Sequence, residues 1–344
     1  MKNEIVTIQW LRGLAALSVV VQHTAFKSQQ YNYNILNGYN IGSFGVDLFF
    51  IISGFIMCHV TNENTKPIEF LKKRLTRILP LYWILSLAAF VIYIINPSLV
   101  NSSGGHTNII SSIFLLPTKD KLLIQNGWSL SYELFFYLII LTSLLILRKK
   151  VFLLTNLLIL ALVLAGLLYP PKTEYINFAT NTLIIEFSMG SIAYYLYDKL
   201  KTTHWFISFT LLTTGITALV YQQYNASIFD LKYRFMYAGF PMLLVLLSLV
   251  LYEKSARMVK LSLLEKIGFS SYSLYLSHAF VLSPSAKIIS KLTNNPYIFS
   301  CSLVFLSVIF GLVCYRFIET PLSRTALKFT QKTQKLHYSL KDIL

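Results

Sequence analysis

Apolar residues in this chain come in long, nearly unbroken runs rather than in the period-two alternation of a half-buried strand or the single stripe of a surface helix. Runs of about 17 to 23 residues suffice to cross a hydrocarbon core of about 30 Å as helix, and about ten such runs are present. Their cores fall near 5–26, 42–61, 79–96, 128–147, 151–169, 181–197, 205–221, 235–252, 267–289 and 297–318. Pro, Gly and Asn gather between several of them, as in "NPSLVNSSGGHTN" and "YPPKTEYIN", and such clusters predict loops. No gap is expected to hold a soluble domain. The fold class is therefore all-α: a polytopic membrane bundle of about ten transmembrane helices, with a transmembrane domain over 1–318 and a basic tail over 319–344.

Composition agrees. Of 344 residues, 55% are hydrophobic and 13% charged, and the mean hydropathy is +0.59, well outside the range of soluble domains. The cysteines, Cys58, Cys301 and Cys314, lie in apolar runs without CxxC spacing, so neither a disulfide framework nor a metal site is expected. A formal net charge of +16 would point to nucleic acid in a soluble chain. No nucleic-acid motif accompanies it, and in a membrane protein the sidedness of the positive charges matters first.

That sidedness is pronounced. Alternate loops hold Lys2, then Lys66, Lys72, Lys73, Arg74 and Arg77, then Arg148, Lys149 and Lys150, then Lys199 and Lys201, then Lys254, Arg257, Lys260 and Lys266. The tail on the same side adds Arg324, Lys328, Lys332, Lys335 and Lys341, whereas the opposite loops hold only Lys27, Lys119, Lys121, Lys172, Lys232, Arg234 and Lys291. The positive-inside rule then places both termini in the cytoplasm. Lys2 followed by an apolar run has the outline of a secretory signal, but Arg12 interrupts the run and no small-residue cleavage site follows, so a retained first helix is expected. The tail's basic residues, spaced for helix, predict a segment lying along the inner leaflet.

An ionised side chain at mid-bilayer costs about 2.5–3.5 kcal/mol on insertion scales, so each one needs a reason. His23, Asp47, Glu133 and Glu186 are expected within the outer third of the bilayer, one imidazole and three carboxylates in a shared layer. Arg12 stands eleven positions before His23, about three helical turns and ~16 Å of rise, so the two share a helix face with the arginine nearer the cytoplasm. Such a face belongs along a polar passage, not against lipid. Asp47 and Glu133 are candidates to neutralise Arg12, to cap helices or to serve a site; Glu186, in "EFSMGSIAYY", also suits a small-residue helix contact. The remaining histidines, including His278, read as packing or hydrogen-bonding residues.

At the start of the third span comes "FLKKRLTRILPLYW". Arg74 and Arg77 share a helix face with Lys72 and Lys73 beside them. Two readings of the cluster stand: paired guanidinium forks that bind phosphate oxygens, or a juxtamembrane patch that meets anionic lipid.

Taken in order, "LRGLAALSVVVQH", "GVDLFFIISGFIM", "FLKKRLTRILPLYW", "GWSLSYELFFY" and "SYSLYLSH", with the ending "FIETPLSR", resemble the acyltransferase-3 family of membrane proteins, which move acyl groups, commonly acetyl, onto surface polysaccharides and other extracytoplasmic acceptors. The second and third stretches are most similar to the exopolysaccharide and O-antigen O-acetyltransferase branch. The resemblance implies a multi-pass enzyme of the bacterial cytoplasmic membrane, with acetyl-CoA as co-substrate, no permanently bound cofactor, and an extracytoplasmic glycan as acceptor. It implies His23 as the catalytic base and Arg12, Arg74 and Arg77 on the acyl-CoA side, with Lys73 alongside. Glu133 or Asp47 is then expected to orient the imidazole. The chain stops soon after the last span, so onward transfer is expected within the membrane domain or with a partner; the last motif reads Ser277-His278 where Trp-His is common in the family. A transporter or flippase for a glycan component is the competing class, against which stand the lack of an internal repeat and of matched Gly or Pro interruptions. A noncatalytic scaffold accounts for the basic face but not for the buried ionisable layer, and the sequence assigns no oligomeric state.

Overall fold

The computed structural model describes residues 5–33, 35–100, 104–200, 203–225, 230–256 and 261–325. Lys2, Lys201, Arg257, Lys260 and the tail lysines Lys328, Lys332, Lys335 and Lys341 lie outside the described residues. In chain order the helices are α1 (Val6–Gln30), α2 (Gly45–Val60), α3 (Pro67–Ile95), α4 (Pro97–Val100), α5 (Ile109–Phe114), α6 (Gly127–Ile146) and α7 (Val151–Leu168). They continue with α8 (Glu174–Ala179), α9 (Ile185–Lys199), α10 (Trp205–Asn225), α11 (Phe240–Ser255), α12 (Ser262–Phe269), α13 (Ser271–Leu292) and α14 (Pro296–Cys314). Among the described residues no strand forms, only an isolated bridge between Thr107 and Lys121. Proline opens α3 and α14, where its missing N–H is no loss. Asn295 adds a side-chain cap to α14, accepting from the N–H of Tyr297 at 2.9 Å and of Ile298 at 3.2 Å.

All the expected spans are helical, and 7 helices are long and apolar enough to cross a membrane: α2, α3, α6, α7, α10, α11 and α14, several with a short extension. Their outer faces expose large apolar side chains such as Leu87, Ile94, Leu145, Phe206 and Phe305, which only lipid accommodates at this density. This is a multi-pass membrane protein. The three helices missing from that set are α1, α9 and α13, at positions where the apolar pattern had predicted spans. At 15 residues α9 is short. Both α1 and α13 are long enough, but they lie inside the bundle and carry hydroxyl, amide and histidine side chains that neighbouring helices receive. Thr7, fully buried near the start of α1, bonds the Glu253 carboxylate of α11 through Oγ1 at 2.5 Å and through its backbone N–H at 2.8 Å. Ser28 near its end pairs with Ser300 of α14 at 2.9 Å.

At the centre stands α1, with α2 on one side and α12, α13 and α14 on the other. Helices α9, α11 and α10 extend the bundle beyond α2, while α3, α6 and α7 form its third sector. The closest contact is between α2 and α9. A Cβ on Gly190 would lie 1.9 Å from the Ile51 carbonyl oxygen, and one on Gly54 would lie 2.0 Å from that of Phe187. Backbone therefore meets backbone, the small-residue packing that lipid-embedded helices rely on. Through this contact Phe187 reaches across to stack on Phe136 of α6 at 4.3 Å.

Gly190→Ala must push the two helices apart, and overpacking of this kind costs on the order of 1–3 kcal/mol. Its thermal midpoint in detergent is expected to fall clearly below that of the parent chain, while Leu145→Ala on the lipid-facing surface leaves it unchanged.

Candidate active site

A cavity of about 320 Å³ opens among α1, α2, α3, α6 and α13. Because α3 and α6 run antiparallel, Phe70 of α3 meets Tyr137 of α6 with ring centroids 6.1 Å apart, while Gly127 at the start of α6 sits against Tyr82. Arg74 and Arg77 therefore stand level with Glu133 and Tyr137, at the end of the bundle where α1 begins. Arg12 joins them from α1, so the basic end of the cavity is walled by Arg12, Arg74, Arg77, Gln9 and His59. Further in, the wall turns apolar at Phe49, Phe50 and Ile56, and it closes at Ser129 and Tyr275.

The arginines have a counter-charge. Glu133 accepts from the Tyr137 hydroxyl at 2.5 Å and from Ser53 Oγ at 3.3 Å. Glu319, at the end of a π-helical turn following α14, accepts from Ser273 Oγ at 2.5 Å and lies within electrostatic reach of Arg12 and Arg77. Arg12 donates to Gln9 Oε1 at 3.3 Å. The buried Nε of Arg74 has no hydrogen-bond partner, and the rest of that guanidinium lies over the Phe70 ring, 5.9 Å from its centroid. Three cations against two carboxylates leave the basic end net positive, with unfilled donor capacity. Lys73 is exposed and does not line the cavity.

His23 lies beyond the closed end. Its ring is half-buried and packs 5.0 Å from the ring of His278, centroid to centroid, with Phe26 edge-on at 6.0 Å. Neither ring nitrogen of His23 has a hydrogen-bond partner among the described residues. His278 is fully buried, and its Nδ1–H donates to the Leu274 carbonyl oxygen at 3.0 Å. A carbonyl can only accept, so the lone pair is on Nε2, which the Asn126 amide approaches at 3.4 Å. That same amide donates to the Tyr275 carbonyl oxygen at 2.9 Å. Tyr275 separates the cavity from the histidines; its hydroxyl pairs with Ser129 at 2.7 Å, and its ring meets Phe49 edge-on at 5.8 Å.

The expected carboxylate partner of His23 is not there. Asp47, 1% exposed, is gripped by Arg234 through Nη2 at 2.6 Å and Nε at 2.8 Å, and Arg234 also donates to the Ser43 carbonyl oxygen at 3.0 Å. Glu186 is buried beside this pair, within reach of both charges. The reason is local: the first turn of α2 faces α9 and the π-helical turn Phe235–Gly239 before α11, not α13. Glu133 is likewise spoken for by Tyr137, Ser53 and the arginines. The expected layer of one histidine and three acids thus resolves into three separate groups: the His23–His278 pair, the Asp47–Arg234–Glu186 cluster, and Glu133 among the arginines. Read linearly, the chain gave His278 a packing or hydrogen-bonding part without placing it beside His23, counted Arg234 as a loop charge, and gave Glu319 no part. For the first and last the signals were present, in "SYSLYLSH" and "FIETPLSR"; Arg234 gave none, because its place in a loop next to a span concealed its inward turn.

The described residues thus form a polytopic helical membrane bundle with a cationic cavity at one end and a histidine pair past its closed end. The sequence profile of the acyltransferase domain known as acyltransferase-3 matches residues 5–316, and the chain belongs to that family: it is a membrane acyltransferase. The exopolysaccharide production protein ExoZ of Rhizobium meliloti (strain 1021) is 28% identical over 83% of this chain and 91% of its own length. A protein named "Putative O-acetyltransferase" from Staphylococcus aureus (strain COL) is 25% identical over 92% of this chain, which spans only 57% of that relative's length. The acyltransferase MdmB of Streptomyces mycarofaciens is 31% identical over 37% of this chain and 36% of its own. No solved structure matches the chain.

Removing one member of a buried ion pair strands the other and costs about 3–5 kcal/mol. Arg234→Ala is therefore expected to lower the thermal midpoint sharply, and the double variant Asp47→Asn, Arg234→Met to recover much of the loss. Additive losses in that cycle would show that the two side chains do not act as a pair.

Proposed function

We propose that the protein moves an acetyl group from cytoplasmic acetyl-CoA to a hydroxyl of an extracytoplasmic surface polysaccharide or its lipid-linked precursor. The observation that carries this reading is the polarity of the cavity: cationic where α1 and α3 begin, apolar along its length, and closed by Tyr275 directly before the histidine pair. A molecule with phosphates at one end and a thin, weakly polar arm ending in a thioester has the same gradient.

Arg74, Arg77 and Arg12 hold the phosphates through charge-assisted hydrogen bonds, for which guanidinium forks are well shaped. The pantetheine arm runs along Phe49 and Phe50, and displacement of the Tyr275 ring admits the thioester to His23. The acceptor hydroxyl is too weak an acid to attack unaided, so His23 removes its proton as the oxygen bonds to the carbonyl carbon. The carbon–sulfur bond then breaks, and the thiolate leaves with that proton as CoA thiol. The unpartnered nitrogens of His23 are what such a base requires before substrate arrives. His278 takes over the orienting part first expected of Glu133 or Asp47: packed at 5.0 Å and locked in one tautomer by the Leu274 carbonyl, it fixes the plane of the neighbouring ring. The same geometry serves a transient acyl-His23 as well as direct attack.

With purified chain, labelled acetyl-CoA and de-acetylated polysaccharide, His23→Ala is expected to insert normally and to lose transfer by about 10²–10⁴-fold, the usual weight of a general base. Substantial remaining activity would rule out the assigned role, and solute flux without thiol release would identify a transporter instead. Arg74→Ala with Arg77→Ala should raise KM for acetyl-CoA by about tenfold or more, since each charged hydrogen bond contributes about 1.5–3 kcal/mol. An unchanged KM removes the phosphate dock.

A further inference from the structure

A second pocket, of about 260 Å³, lies on the other side of α6, at the end of the bundle away from the arginines. One helix thus walls two sites: Leu130, Glu133 and Tyr137 face the arginine cavity, while Trp128 and Tyr132, four positions apart, face the second pocket. Its remaining walls come from the segment 116–122 and from α8.

Its chemistry differs from that of the first cavity. Trp128 and Tyr132 meet at 86° with centroids 6.1 Å apart, and Phe178 of α8 stacks on Tyr132 at 4.2 Å, so the pocket has an aromatic corner. The side chains of Gln125 and Asn177, both exposed, the indole N–H of Trp128 and the hydroxyl of Tyr132 have no hydrogen-bond partner among the described residues. The one lysine in the lining, Lys119, already has a carboxylate partner, and no surplus cation lines the pocket. Lys119 pairs with Glu174 at 3.7 Å, and Asp120 pairs with His106 at 3.1 Å. A pocket of aromatic faces and unspent neutral donors and acceptors, with two carboxylates against one lysine, selects an uncharged, hydroxyl-rich ring. A hydrocarbon chain would leave those polar groups unpaired, and a phosphate would find no free cation.

We propose that this pocket is a holding subsite for one neutral sugar residue of the acceptor, stacked on Trp128 and hydrogen-bonded by Gln125 and Asn177. The subsite rests on the acyl-transfer reading for its purpose, though not for its binding chemistry. A glycan seated here lies within a helix diameter, about 10–12 Å, of the face of α6 that carries Asn126 towards His278. Neighbouring residues of the polymer thereby stay near the histidine pair without the held ring being the one acylated.

The test uses the full chain in detergent with ester-free polysaccharide from cells lacking this protein. The double variant Gln125→Ala, Asn177→Ala, altered only at exposed positions, is expected to raise KM for the polysaccharide at least tenfold while KM for acetyl-CoA stays within twofold. In parallel, polysaccharide is expected to change the tryptophan fluorescence of the parent chain saturably, and this change is expected to vanish in Trp128→Phe. Unchanged polysaccharide KM overturns the subsite, as does a fluorescence response that persists in Trp128→Phe. If the parent chain transfers no label to the polysaccharide, the acyl-transfer reading fails, and the fluorescence arm still decides the pocket: a Trp128-dependent response upholds it, and no response overturns it.

Discussion

A guanidinium held inside a lipid bilayer must be surrounded by partners or water, and Arg12 is such a group. Its position on α1 obliges that helix to sit at the centre of the bundle. Around it gather Gln9, Glu133 and Glu319 from three different elements, with Arg74 and Arg77 sharing the same space. The cavity follows from this demand, since three cations and two carboxylates cannot be packed dry at acceptable cost. The outer helices, free of that demand, present unbroken apolar faces to lipid.

A second charged group meets the same constraint in the opposite way. Asp47 and Arg234 pair at 2.6 Å with Glu186 alongside, and no cavity opens there. The Asp47–Arg234 pair, satisfied by its own two-pronged bond, fastens α2 to the turn before α11, while both carboxylate oxygens of the buried Glu186 beside it lack a hydrogen-bond partner among the described residues. The glycine contact between α2 and α9 reinforces the sector. The arginine cluster keeps unfilled donors facing a void; the Asp47 cluster spends its two-pronged bond within the protein.

Between the arginine cavity and the histidines stands Tyr275, held by Ser129 and leaning on Phe49. Helix α6 serves three surroundings at once: Asn126 and Ser129 tie it to α13, Glu133 and Tyr137 face the arginines, and Trp128 and Tyr132 face the second pocket. Each set repeats at helical spacing along a single segment, "NGWSLSYELFFY".

The chain alone determined that the protein is helical and membrane-embedded, where its helices fall, that Arg74 and Arg77 share a helix face, and the family, because run length, composition and motif are properties of consecutive residues. That Arg12 joins the two arginines was implied only by the family resemblance. Two of the three helices outside the apolar set, α1 and α13, lie inside the bundle, and their weaker apolarity reflects contact with protein rather than lipid; the third, α9, is short. Only tertiary structure decided the partners. Glu133 and Asp47 were both plausible neighbours of His23 by depth, but depth fixes one coordinate and leaves the rotation of each helix and its place in the bundle free. Those were set by packing: the glycine contact that turns α2 towards α9, the π-helical turns that bring Arg234 and Glu319 inward, and the approach of α13 to α1 that puts His278, not a carboxylate, beside the imidazole.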